Sequence, residues 1–504
     1  MYASVISGGL SGIRSFLTRV EVDISRGLPS FEMVGRLSSE VREARERVKV
    51  AMLNCGISIP PSKITVNISP ASLHKTGTAY DLPIAIGILS AIGEIPASVL
   101  SDILIIGELG LNGEVRRVSG VLPIISAAKK QGLKQCIVPA SNASEAAYVD
   151  GIDIIPVSDL DEAVKSLQNS DYLSSLVFSH LSVEDTIKEQ RYSLDFSDIA
   201  GQEACKRAAL IAAAGFHHML ITGPPGSGKT MIAKRMSTIM PPLTPEECLD
   251  ISTIYSVTGL LNEETPLITK RPFLNPHHTT TRQALAGGGA NSRPGLISLA
   301  HKGILFMDEF PEFSRECIET LREPLEDKTI QISRMQNTYE YPADIMLIAA
   351  ANPCPCGYYP DRNLCNCSDS MIARYRSKIS GPMKDRIDII VRAEKTDIDK
   401  LSSKKTGPTS LELRSMVMNA RFMQEERYKN SDISYNSEIS VAMIDEYLPL
   451  GVPEKEYMKD IYRNMNLTAR SYHKILKVAR TIADIENSHY IKIPHLAEAV
   501  CYRG

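Results

Sequence analysis

The octapeptide GPPGSGKT at Gly223–Thr230 constrains this chain more than any other feature. It follows the apolar, strand-like HMLIT and precedes MIAKRMSTIM, whose apolar spacing suits a helix. That is the strand, loop, helix setting a phosphate-binding loop requires. In such a loop Gly223, Pro224, Pro225, Gly226, Ser227 and Gly228 form a turn whose backbone N–H groups face phosphate oxygens, and the following helix adds its positive end. Lys229 is placed to reach the β- and γ-phosphates, and the Thr230 hydroxyl to ligate Mg²⁺. The expected ligand is ATP with Mg²⁺.

Two further apolar runs end in polar residues, as a complete site of this kind needs. ILFMDE (304–309) ends in Asp308, expected to hold the Mg²⁺, and Glu309, expected to orient and polarise the attacking water. DIMLIAAANP ends at Asn352, a residue suited to sensing the γ-phosphate. With HMLITG and RIDIIVR, these short apolar runs alternate with helical segments from residue 195 to about 395, the pattern of a parallel sheet covered by helices. Residues 1–167 read as a separate mixed α/β domain. There, Val20 to Ile24 and ITVNIS (64–69) alternate apolar with polar, and SSEVREARERVKVAMLN (38–54) has helical spacing. Residues 168–194 are Ser-rich, charged and weakly periodic, which suits a linker. Residues 396–504 are polar and helix-forming, which suits a small helical domain.

The balance of 56 Lys+Arg against 59 Asp+Glu, a formal charge of −3, gives no overall basic field, so any nucleic-acid surface must be local. The opening MYASVISGGLSGIRSF does not read as a secretory signal and no apolar run reaches membrane-spanning length, so a cytoplasmic protein is expected. Four of the ten cysteines, Cys354, Cys356, Cys365 and Cys367, form two C-x-C pairs in NPCPCGYYPDRNLCNC. Four thiols in so short a span match the ligand count of a structural zinc site, one that would stiffen a segment joined directly to Asn352. The adjacent His277 and His278 have no other ligand at metal-binding spacing and read as a loop feature. TIQISRMQNTYEYPA holds two alternating stretches around a polar turn, hence a β-hairpin with Arg334 near its tip.

Taken together, GLPSFEMVG, PPSKITVNISPASLHKTGTAYDLPIAIG, DIAGQEACKRA, GPPGSGKT, RPFLNPHHTTT, LREPLE, NPCPCG, GPMKDRID and ARSYHKILKVARTIADI resemble the ComM (YifB) family of magnesium-chelatase-like AAA+ ATPases along nearly the whole chain. The resemblance implies a Lon-protease-like (ribosomal S5 domain 2-like) α/β domain, an AAA+ core and a helical lid. It also implies a homo-oligomeric ring, usually a hexamer, in which a neighbouring subunit donates an arginine to each ATP. By motif that finger is Arg386 in GPMKDRID, and the lid's sensor arginine is Arg470 in ARSYH. Aligned with Lon, the nucleophilic serine position is Ala79 and the catalytic lysine position is Leu122, so the first domain is expected to keep the fold without peptidase activity. The hairpin is expected to face the ring channel, with Arg334 in contact with DNA phosphates.

Two functions follow. One is a motor on single-stranded or branched DNA that drives branch migration in natural transformation. The other is a chelatase-like motor that remodels a protein partner. The Lon-like domain ahead of the ATPase favours the first. A transcriptional activator is disfavoured because no helix-turn-helix signature is recognisable.

Overall fold

The computed structural model describes residues 1–187, 192–289, 292–334, 337–395 and 407–503. The first sheet among them is built from β1 (Tyr2–Ser11), β2 (Arg14–Ser25), β3 (Ser30–Val34), β4 (Lys63–Ser69), β5 (Ile103–Ile105), β6 (Gln135–Pro139) and β7 (Asp153–Val157). Its order is β3-β4-β2-β1-β5-β6-β7. The β1–β2 and β2–β4 pairs are antiparallel, whereas β5, β6 and β7 are parallel. Helices α1 (Ser39–Asn54), α2 (Asp81–Ile92) and α3 (Val121–Lys130) cover it. Ser38 caps α1 by accepting from the Val41 N–H, and Val41, Ala44, Val48, Ala51 and Met52 form its buried stripe. A buried ion pair ties α1 to α2: Arg47 donates to both Asp81 carboxylate oxygens, at 2.6 and 2.9 Å.

The second large sheet contains β8 (Met219–Thr222), β9 (Phe273–Leu274), β10 (Ile304–Met307), β13 (Met346–Ala351) and β14 (Ile389–Arg392), in the order β9-β10-β13-β8-β14. Every pairing in it is parallel. Parallel strands are covered on both faces, and β10 and β13 are accordingly apolar throughout and fully buried. Between β10 and β13, β11 (Thr329–Arg334) and β12 (Asn337–Pro342) pair antiparallel as the alternation predicts. The Arg334 side chain lies outside the described residues.

Helices α4 (Glu203–Gly215) and α5 (Lys229–Ile239) pack on this sheet, and α6 (Pro245–Thr258) leads away from it. Beyond β14 come α7 (Ser410–Tyr428), α8 (Val452–Asn464), α9 (Ala469–Ile485) and α10 (Ile493–Cys501). They share one continuous apolar core with α4, α5 and the sheet.

The stretch 168–187 is helical at Ser170–Ser175 and Val183–Thr186. Phe178 donates to the Ile154 carbonyl and Leu181 to that of Ala147, while Val183 packs with Tyr148, Cys248 and Ile251. It is therefore fixed to both the first sheet and α6.

Candidate nucleotide-binding site

The octapeptide lies at the carboxyl end of β8, an interior strand between β13 and β14, and open α/β folds place their ligands at carboxyl strand ends. Gly223 has no room for a side chain, since a Cβ there would sit 2.5 Å from the Ala393 carbonyl oxygen. Gly226 and Gly228 adopt φ of 76° and 85°, left-handed values that favour glycine. No side chain caps the start of α5, which leaves its first N–H groups for an anion.

Strand order brings the other residues to this loop, because β13 is hydrogen-bonded to β8 and β10 to β13. Lys229 Nζ donates to the carbonyls of Gly223 (2.8 Å) and Pro224 (2.9 Å) and to Asn352 Oδ1 (3.1 Å). Burial pushes its ammonium below the usual range, while the charges of Asp308 and Glu309 pull it back up. Thr230 Oγ1 donates to Asp308 Oδ2 at 2.7 Å. Two such oxygens side by side fit Mg²⁺, a hard cation that takes oxygen ligands. Asp308 Oδ1 accepts the Glu309 N–H at 2.9 Å, and Glu309 itself is left-handed at φ 51°, a local strain, with its carboxylate half-exposed.

The structure adds a residue that spacing did not indicate. His278 Nδ1 lies 3.5 Å from Glu309 Oε2, and the His277 and His278 rings are 4.1 Å apart. The loop that carries them follows β9, the edge strand beside β10, so RPFLNPHHTTT is held against the carboxyl end of the strand bearing Glu309. A two-residue strand shows no periodicity, and nothing in the sequence connected this loop to the acidic pair.

Arg386 and Arg470 meet at one carboxylate. Arg386 Nη2 lies 2.5 Å from Glu326 Oε2 and Arg470 Nη2 lies 3.2 Å from Glu326 Oε1. Arg386 Nη1 also donates to the Pro382 carbonyl at 2.8 Å, and its buried Nε has no hydrogen-bond partner among the described residues. Among the described residues neither guanidinium is paired with the loop 223–230.

The four clustered cysteines also converge. Their sulfurs all lie within 4.8 Å of one another, with Cys354–Cys356 at 3.4 Å, Cys356–Cys365 at 3.6 Å and Cys354–Cys365 at 3.8 Å. Tetrahedral zinc with Zn–S of about 2.3 Å sets its sulfurs roughly 3.8 Å apart, so the arrangement fits that ion.

In the first domain Ala79 lines a cavity of about 250 Å³, with Gly8, Thr78, Ser119 and, from the ATPase side, Arg293 and Tyr341. Leu122 is buried in the apolar core, so neither aligned Lon position offers a nucleophile or a base.

Together, the parallel sheet, the phosphate loop and the acidic strand end define a P-loop ATPase of the AAA+ type. Three family descriptions match in succession: Subunit ChlI of Mg-chelatase over residues 20–142, Magnesium chelatase, subunit ChlI over 195–401, and the ChlI C-terminal region over 407–503. The chain is 38% identical to competence protein ComM of Haemophilus influenzae over 506 residues, covering all of this chain and 97% of that protein. It is also 38% identical to the uncharacterized protein YifB of Escherichia coli, over 98% of this chain and 95% of that one. It belongs to the ComM/YifB family of magnesium-chelatase-like AAA+ ATPases. A shorter likeness, 31% over 149 residues, links 28% of the chain to 26% of Lon protease 2 of Bacillus subtilis.

Proposed function

We propose that this chain forms a homo-oligomeric ring, expected to be a hexamer, that hydrolyses ATP to move on single-stranded or branched DNA and drives branch migration during natural transformation. The observation that carries the ATPase half is the junction of Lys229, Thr230, Asp308 and Asn352 in one crevice. The DNA half is supported by near full-length similarity to a competence protein.

In this reading the N–H groups of 223–230 and the Lys229 ammonium hold the phosphates, so Lys229 leaves its carbonyl partners for the β- and γ-oxygens. Thr230 and Asp308 hold Mg²⁺, which neutralises charge on those oxygens. Glu309 accepts a proton from a water whose oxygen bonds to the γ-phosphorus, while the bond to the β–γ bridging oxygen breaks and ADP leaves. Asn352 aligns the γ-phosphate, and His278 holds the Glu309 carboxylate in place. Arg386, released from Glu326, reaches the neighbouring subunit's ATP. Arg470, beside it, takes the lid's sensor role. A planar, permanently charged guanidinium suits charge spreading over the γ-phosphate oxygens. The four cysteines hold a structural zinc ion. No helix among the described residues is long and apolar enough to cross a membrane.

ATP turnover with and without single-stranded and four-way branched DNA tests the DNA half. Stimulation that disappears in Arg334→Ala is the expected result. Turnover unmoved by any DNA would favour the chelatase-like remodelling of a protein partner.

A further inference from the structure

The cysteine loop lies against the phosphate site as well as beside it on the chain. Gly357, in the turn after the first C-x-C pair, sits at φ 88°, and a Cβ there would lie 2.6 Å from Pro225 Cδ and 3.2 Å from Pro225 Cγ. Backbone of the cysteine loop thus abuts the second proline of GPPGSGKT directly. A second route runs through Asn352, which precedes the loop and accepts from Lys229 at 3.1 Å.

Hydrophobic packing does little to hold this loop in shape. Its buried apolar cluster consists of Cys354, Cys365, Cys367 and Ile372, with Cys356 and Tyr359 against it. So small a cluster does not by itself offset the chain entropy lost in ordering some fifteen residues. The surroundings suit a charged metal–thiolate centre instead. Tyr359 N–H donates to Cys354 Sγ at 3.4 Å, and the Tyr359 ring lies between Arg362 and Arg376, whose guanidinium carbons are 5.1 and 4.9 Å from its centre. Four thiolates around Zn²⁺ carry a net charge of −2, which these guanidiniums offset in part, Arg362 being also paired with Asp369. Arg362 Nη1 also donates to the Cys367 carbonyl at 2.9 Å, and Arg376 Nε to that of Pro353 at 3.3 Å, so both ends of the loop are gripped.

Given zinc at these cysteines and ATP at 223–230, we propose that the zinc-bound loop is a brace for the phosphate loop. The metal fixes Gly357 against Pro225 and Asn352 beside Lys229, so ATP turnover depends on an ion remote from the reacting atoms. Partners that support a site indirectly are commonly worth 10–100-fold in activity, and a loss of about tenfold in kcat/KM for ATP is expected when the brace is released.

The test uses the full chain. Elemental analysis should find about one zinc per chain in the wild type and none in the double variant Cys365→Ser, Cys367→Ser, and the double variant should show the tenfold kinetic loss. Gly357→Ala keeps all four thiols, so it should retain zinc and still lose turnover, because its added methyl displaces Pro225. Should a variant fail to fold, wild-type protein stripped with a thiol reagent and chelator, then reduced and reloaded with Zn²⁺, should lose and regain turnover in step with its zinc. A wild type purified without zinc, or with the sulfurs in disulfides, overturns the metal assignment. Full zinc in Gly357→Ala, with unchanged kinetics there and in the stripped protein, overturns the brace alone. Continued ATP binding by Lys229→Ala would instead remove the phosphate-site reading on which the brace rests.

Discussion

Lys229 and Arg386 separate two functions that a single ATPase measurement would merge. Lys229 is buried beside the phosphate loop and makes three hydrogen bonds there, all of which a bound phosphate can replace. Lys229→Ala should therefore abolish binding of a fluorescent ATP analogue. Arg386 touches none of these groups, so Arg386→Ala should bind the analogue like wild type while hydrolysis falls by about 10³-fold or more, the usual worth of an arginine finger. His278 is a subtler case. It stands 3.5 Å from Glu309 and outside the core, so on the proposed positioning role His278→Ala should lower kcat on the order of tenfold and leave KM unchanged. His278→Gln, which restores a donor, should recover most of that loss. Equal loss in both variants, or a change confined to KM, would count against a positioning role.

At the scale of elements, a buried polar tie holds the lid to the sheet. The His217 ring, just ahead of β8, lies 3.1 Å from Asp388 before β14 and 2.8 Å from Thr481 of α9. Burial raises the Asp388 pKa, but the hydrogen bond and charge of His217, with His218 and Lys477, more than reverse this and hold it at about 2. A carboxylate depressed from an unfolded value near 3.8 stabilises the fold above that pH and ceases to as pH falls through 2, by about 2 kcal/mol. In urea titrations Asp388→Asn should therefore be less stable than wild type by about 2 kcal/mol at pH 7, a gap that narrows only below about pH 4. A gap already closing near pH 6 would point to another group. This tie also marks where sequence reading stops. Gly223–Thr230, Asp308 and Asn352 were legible because each sits at the end of an apolar run, and strand geometry then dictates their meeting. His217, Asp388 and Thr481, like His278 and Glu309, are far apart in the chain and carry no shared pattern. Strand order and the packing of α9 on the sheet bring them together.

At the scale of the whole molecule, Arg386 and Arg470 are gathered on Glu326, and among the described residues neither is paired with the loop 223–230. The first domain is locked to the ATPase near α6, where Ser256 donates to buried Glu145 at 2.5 Å and accepts from Gly120 N–H through its carbonyl at 2.9 Å. The β1–β2 turn also meets the hairpin, where a Cβ on Gly12 would lie 2.9 Å from the Tyr339 ring. On the proposed reading, a neighbour completes the ATP site of a subunit whose own parts are already committed to one another. Two inactive proteins should consequently repair each other. Lys229→Ala subunits bind no ATP but still present Arg386, and Arg386→Ala subunits bind ATP but lack the arginine for their neighbour. When equal amounts are dissociated and reassembled at random, about half of the interfaces have an intact phosphate loop and about half of those also face an intact arginine. About a quarter of wild-type turnover should return if sites act independently, and less if hydrolysis must pass around the ring. Turnover that stays at zero, with mixed assembly verified by differently tagged subunits and with rings of wild type diluted by Lys229→Ala still active, would mean that Arg386 does not serve a neighbouring subunit.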